Sequence, residues 1–274
     1  MRIVHTLADL RQQLLPFRHP GVVPTMGNLH AGHLALVRAA KPLGDVTVAT
    51  IFVNRLQFGP KEDFDNSPRT LQADCAQLEA AGCDLLFAPS EAELYPQPQS
   101  FTVQPDPALA DILEGQYRPG FFTGVCTVVL KLLACTQARS ALFGKKDYQQ
   151  LLIIRQMVRQ FALPVDVIGQ DTHREAHGLA MSSRNGYLSP DERTQAALLG
   201  HTLLQCADAV RQGNSAFADL ENQALQTLRA AGWMPDYVAI RRQSDLQAAQ
   251  PGAPLVVLGA ARLGSTRLLD NLEI

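Results

Sequence analysis

PTMGNLHAGH, residues 24–33, sets His30 and His33 three apart around Gly32, with Gly27 just upstream. A short apolar run, GVVPTM (21–26), leads into it. GHLALVRAAKPL (32–43) follows, with Leu34 and Val37, and Leu36 and Leu43, at helical spacings. The stretch is therefore a strand-to-helix turn. Gly27 to Gly32 has the G-x-x-x-x-G spacing of a P-loop, but His33 and Leu34 stand where Lys and Ser or Thr are required. Zinc would need a third protein ligand, and no Cys or further His is clearly placed to supply it. Two readings remain. One is a turn with incidental histidines. In the other, the helix start aims unpaired backbone N–H groups and its positive dipole end at a polyphosphate. Gly32 then lets the phosphate approach the backbone, and the imidazoles donate to its oxygens. An imidazole near its pKa can also move a proton.

Outward from this turn the chain alternates. DVTVATIFV (45–53) is β-branched and apolar, as a buried parallel strand should be. RTLQADCAQLEAAG (69–82) reads as a helix ended by Gly82, and CDLLFAP as a strand. A Pro-rich irregular region (95–107), an apolar helix near 124–137, the strand SALFG (140–144), a helix with the stripe Leu151, Ile154, Val158 and Phe161, and the strand LPVDVIG complete the pattern. Repeated strand–helix–strand order predicts an α/β fold, a parallel sheet covered by helices on both faces. Ligands bind such sheets at the carboxyl ends of the strands. MGNLHAGH, NRLQFG, GKKDYQQ and the loop leading to MSSRN all follow predicted strands, so they can converge on one crevice. From about residue 173 two helices (190–212 and 215–231) precede three short strands, the pattern of a small α+β domain. The expected domains are 1–172 and 173–274.

Of the 274 residues 46% are hydrophobic and 18% charged, and the net charge is −2, ordinary for a globular protein with a sizeable core. A nucleic-acid or membrane surface needs concentrated positive charge, which is lacking. Five widely spaced cysteines with no C-x-x-C argue against a disulfide framework and for a reducing compartment. No stretch has the length of a membrane span, and the N-terminus lacks a signal-peptide pattern. The expectation is a soluble cytoplasmic protein.

H-x-G-H after a first strand resembles the motif of the nucleotidylyl-transferase superfamily, which has a Rossmann-like fold. PTMGNLHAGH, FVNRLQFG, SPRTLQADC, FGKKDYQQL, GLAMSSRNGYL and ARLGSTRLLDN, in that order, resemble the pantothenate synthetase (pantoate–β-alanine ligase) family over essentially the whole chain. The resemblance implies a Rossmann-like ATP- and pantoate-binding domain with a C-terminal α+β lid. It implies ATP-dependent joining of pantoate to β-alanine through pantoyl adenylate, and a homodimer.

By the resemblance, His30, His33 and Lys146 are catalytic, with His33 as the proton donor to the leaving group. Met26, Gly27, Gly32, Gly144, Lys145, Asp147, His173, Met181, Ser182, Ser183 and Arg184 complete the ATP site. Asn54, Gln57 and Gln150 hold pantoate, and Asp74 and Gln77 correspond to a magnesium site. Asp147 also suits a helix N-cap. Departures from the family pattern are Arg55 for proline, Phe121 for histidine, Lys145 for glutamate, and His173 and His177 for an apolar residue and aspartate. Arg55 predicts a less rigid loop, and Phe121 the loss of a polar group near β-alanine.

Overall fold

The computed structural model describes residues 1–59 and 70–274, so the start of the SPRTLQADC stretch (67–69) lies outside the described residues. Six strands, β1 (Arg2–Val4), β2 (Pro20–Thr25), β3 (Val46–Ile51), β4 (Leu85–Phe87), β5 (Ser140–Gly144) and β6 (Asp166–Gln170), form one parallel sheet in the order β1-β4-β3-β2-β5-β6. No strand is expected before residue 21. β1 is only three residues long, too short to show a period, and it pairs with β4 at the edge.

Both faces of this sheet are covered. Val22, Val48, Leu85, Phe87, Ala141 and Phe143 point to one side, into a core shared with α1 (Leu7–Leu14) and two later helices. Val23, Ala49, Leu86 and Leu142 point to the other, against α2 (Ala31–Ala40) and α3 (Leu71–Ala80). The two later helices are α4 (Phe121–Thr136) and α5 (Tyr148–Gln160). Successive side chains of a strand alternate between faces. A strand buried on both sides therefore reads as an unbroken apolar run, which is why these strands are visible in the sequence.

From β2 the sheet runs through β3 and β4 one way and through β5 and β6 the other. The order reverses between β2 and β5, which pair directly at Gly21–Ser140 and Val22–Ala141. A crevice opens at such a switch point. The topology thus sets the loop after β2 beside the loop after β5, although their sequences are far apart.

The C-terminal part carries α6 (Ala197–Arg211), α7 (Phe217–Ala230) and an antiparallel sheet of β7 (Met234–Arg242), β8 (Leu255–Leu263) and β9 (Thr266–Glu273). The helix expected over 190–212 is divided at Ala196, its first part being Pro190–Gln195. Val238, Ile240, Val257 and Ala261 pack against Leu199, Leu203 and Leu228 of the helices. Ala239, Val256 and Leu258, on the other face, join the core of the first domain. The two parts are also tied by Arg267, whose guanidinium donates to both oxygens of Glu114 at 2.8 and 2.7 Å and to Asp236 at 2.6 Å. Among the described residues no helix is long and apolar enough to cross a membrane.

Candidate active site

The switch-point crevice holds about 470 Å³, within the range of small-molecule sites. All four expected segments reach it: Met26, His30, Gly32 and His33 after β2, Gln57 after β3, Gly144, Lys146, Asp147 and Gln150 after β5, and His173 with Met181 to Arg184 from the linker.

The loop after β2 turns through left-handed backbone at Gly27 (φ +83°) and Asn28 (φ +50°). Gly27 tolerates that conformation without a Cβ penalty. The turn aims the N–H groups of Asn28 and Leu29 at the carboxylate of Asp74, each at 2.9 Å, and the Thr70 hydroxyl donates to the same carboxylate at 2.9 Å. Asp74 is buried. Both Asp74 oxygens accept hydrogen bonds that build the loop, and neither Asp74 nor Gln77 lines the crevice. Among the described residues no group of three or more His, Cys, Asp or Glu is placed to hold a metal ion.

His30 is the N-cap of α2. Its Nδ1 accepts the N–H of Gly32 at 3.1 Å, and His33 Nδ1 accepts the N–H of His30 at 3.4 Å. A nitrogen that accepts an N–H carries no proton, so each neutral ring holds its proton on Nε2, across the ring from the backbone. The rings lie 4.0 Å apart. Burial, then His33 and Lys146, lower the His30 pKa to about 3. Burial, aided by Lys146 and opposed by Asp147, lowers that of His33 to about 4. Without ligand both imidazoles are neutral N–H donors at pH 7. The expectation of an imidazole poised near its pKa does not hold in this state. Gly32 has a second task here: a Cβ on it would stand 2.9 Å from His30 Cε1, so its absence lets the capping ring fold back.

After β5 the chain makes a 3₁₀ turn, Lys145–Asp147, into α5. Lys146 lines the crevice, whereas Lys145 turns away and pairs with Asp171 and Glu273, each at 2.8 Å. Asp147 stands at the N-cap of α5 but makes no side-chain capping bond.

Gln57 and Gln150 line the crevice, and Asn54 does not. Asn54 is 1% exposed and fully occupied: its Nδ2 donates to Gln57 Oε1 (3.1 Å) and to the Gly124 carbonyl (3.0 Å), and its Oδ1 accepts from the Tyr95 hydroxyl (2.9 Å). It holds Gln57 in place. Gly124 allows this packing, because a Cβ there would lie 2.2 Å from the Leu56 carbonyl oxygen. Glu114, Arg118, Gln149, Tyr237 and Asn271 also line the crevice and were not singled out by sequence. Asn271 lies within the ARLGSTRLLDN stretch, so a signal for it was present.

Residues 2–273 match the family model described as Pantoate-beta-alanine ligase. The chain belongs to the pantoate–β-alanine ligase family. It is 63% identical to the pantothenate synthetase of Verminephrobacter eiseniae and 62% identical to that of Paracidovorax citrulli, covering 100% of each chain in both pairs. The crystal structure of the pantothenate synthetase from Thermus thermophilus superposes with a TM-score of 0.95 at 46% identity, covering 100% of this chain and 99% of that one. The pantoate–β-alanine ligase from Francisella tularensis, complexed with Beta-gamma ATP and β-alanine, gives 0.79 at 33% identity and covers 100% and 97%. The chain is a ligase with the Rossmann-like domain and smaller C-terminal domain of that family.

Within the family pattern, the departures have definite surroundings. Arg55 pairs with Glu91 at 3.2 Å and opens a 3₁₀ turn, Arg55–Gln57. Phe121 lines the crevice beneath the guanidinium of Arg118, which sits 3.7 Å from its ring centroid. His177 lies outside the crevice and contacts the Arg193 carbonyl oxygen at 3.1 Å.

Proposed function

We propose that this ligase activates the carboxylate of pantoate with ATP and passes the pantoyl group to β-alanine within the one crevice. A carboxylate oxygen of pantoate attacks the α-phosphorus, the bond from that phosphorus to its bridging oxygen breaks, and pyrophosphate leaves. The β-alanine amine, once deprotonated, attacks the acyl carbon. The bond to the phosphate oxygen breaks, and AMP leaves. A carboxylate does not acylate an amine unaided, whereas AMP is a good leaving group. Most of the protein's work is to hold the reactants and stabilise charge on phosphate.

The observation that carries this reading is the meeting, at one switch point, of the α2 N-terminus, two imidazoles with Nε2–H fixed by a capping box, and Lys146. His30 and His33 donate to the phosphates. Lys146 offsets the charge growing at the α-phosphate. Asp147 serves the ribose, His173 and Met181 the adenine side, and Ser182, Ser183 and Arg184 the phosphates from the linker. Gln57 and Gln150 hold pantoate, with Asn54 acting through Gln57. His33 enters as a neutral donor and takes up a proton only beside the anionic triphosphate. The Francisella relative with Beta-gamma ATP and β-alanine supports the ligand set. A cytoplasmic homodimer belongs to the same proposal; five free cysteines suit a reducing compartment, and light scattering measures the dimer.

Pantoate-dependent ATP–pyrophosphate exchange, followed by AMP release on adding β-alanine, tests the reaction. Exchange without pantoate, or a nucleotide left on the product, would refute it.

A further inference from the structure

The last strand of the C-terminal domain reaches back to the lysine turn. Asn271 of β9 is buried, and its Nδ2 donates to the carbonyl oxygens of Lys145 at 2.9 Å and Lys146 at 2.7 Å. A side-chain amide nitrogen has two hydrogens, so both are used on this one turn. Asn271 is itself held. Its backbone N–H donates to Asp270 Oδ1 at 2.8 Å. Asp270 receives the Arg174 guanidinium on both oxygens, at 2.6 and 2.9 Å. Arg174 also donates to the carbonyls of Asn271 (3.3 Å) and Gly178 (3.0 Å).

Arg174 belongs to the linker that carries Met181 to Arg184. It bridges to Ala180, and the Met181 N–H donates to the His173 carbonyl at 2.9 Å. One continuous set of hydrogen bonds thus runs from the linker, through β9, to the two peptide carbonyls that flank the Lys146 Cα. A paired guanidinium–carboxylate contact is directional as well as strong. It fixes the strand, and the strand fixes the turn.

We infer that Asn271 is a positioning residue for Lys146, and that the Arg174–Asp270 pair sets Asn271. The inference rests on the reading that Lys146 meets the phosphates. Asn271 touches no reacting atom in this role. It decides where the Lys146 backbone sits, and so where the ammonium group can reach. A displacement of about 1 Å in a positioned group costs up to ~10²-fold in rate.

A double-mutant cycle on pantoate-dependent exchange tests it, with thermal unfolding confirming that each variant is folded. Asn271→Ala lowers kcat by roughly 10- to 10²-fold and leaves the pantoate KM nearly unchanged. In a Lys146→Ala background the same change costs less than about 2-fold, because nothing remains to be positioned. Equal losses in both backgrounds, or no loss in the native one, overturn the inference. If Lys146→Ala alone costs nothing, the reading of Lys146 fails instead, whatever Asn271→Ala does. Should Asn271→Ala not fold, Arg174→Lys keeps the charge but not the paired grip. It should show a smaller loss that again vanishes without Lys146, and a loss that persists refutes the coupling.

Discussion

Two adjacent lysines make a controlled comparison. Lys146 lines the crevice, while Lys145 does not line it and pairs with Glu273 and with Asp171 at its edge. Removing one preorganised charge stabiliser costs about 2.7–4 kcal/mol of transition-state energy, or ~10²–10³ in kcat. Coulomb's law gives a similar size: two unit charges 4 Å apart at an effective dielectric of 20 interact by about 4 kcal/mol. Lys146→Ala should therefore lose ~10²–10³ in the exchange rate. Lys145→Ala removes two pairs whose partners are 91% and 38% exposed. Such pairs contribute about 0.2–1 kcal/mol each to stability, so the melting temperature should fall by a few degrees at most and the exchange rate should stay within about 3-fold. Initial rates of pyrophosphate exchange at saturating ATP and pantoate, with a thermal scan of each variant, measure both. Equal losses in the two variants would refute the assignment.

Two further perturbations probe the other walls. Gly124→Ala drives a Cβ to 2.2 Å from the Leu56 carbonyl oxygen and 2.7 Å from the Gln57 nitrogen, so the 55–57 turn must shift. kcat/KM for pantoate should drop by on the order of 10²-fold while ATP binding, measured by calorimetry, is preserved; an unchanged pantoate constant would separate Gln57 from that substrate. The histidine pKa values, about 3 and about 4 without ligand, give a signed expectation for ATP. Phosphate charge raises both, so between the ligand-free and bound values the complex holds more protons. Binding then takes up protons and tightens as pH falls from 7 toward 5. Calorimetry in buffers of different ionisation enthalpy reads this directly, and His30→Asn should abolish part of it; equal uptake in that variant would detach His30 from the phosphates.

Strands β2 to β5 were legible because they are buried on both faces, and the histidine turn because helix, glycine and imidazole chemistry coincide within ten residues. What escaped depends on contacts remote in sequence. Nothing local tells Lys145 from Lys146. The direction of Lys145 is set by Glu273, 128 residues away, and by Asp171. Nor does the sequence show that the left-handed Gly27–Asn28 turn aims two N–H groups at Asp74. The histidine pKa values follow from burial, which spacing does not report. Arg118 and Phe121 lie within RPGFFTGV, yet only the fold stacks one on the other.

The closing element can be narrowed in the same way. The sequence suggests that the whole second domain acts as a lid. Lifting it would strip Ala239, Val256 and Leu258 from the core of the first domain, at about 1.5–3 kcal/mol for each large side chain. It would also part Arg267 from both carboxylate oxygens of Glu114, giving up a directional paired contact. The linker is anchored only in its middle, where Leu179 and Ala180 are buried and Arg174 grips Asp270, whereas Asp171, His173, Ser183 and Arg184 are exposed. Closure over ATP should therefore be a movement of the exposed linker ends, residues 171–173 and 181–184, about the Arg174–Asp270 pair, with the second sheet staying docked. Hydrogen exchange with and without ATP distinguishes the two. Protection should rise in the linker alone, while β7, β8 and the Glu114–Tyr117 turn exchange equally slowly in both states. Fast exchange of β7 and Glu114–Tyr117 without ATP, and slow exchange with it, would restore the whole-domain lid.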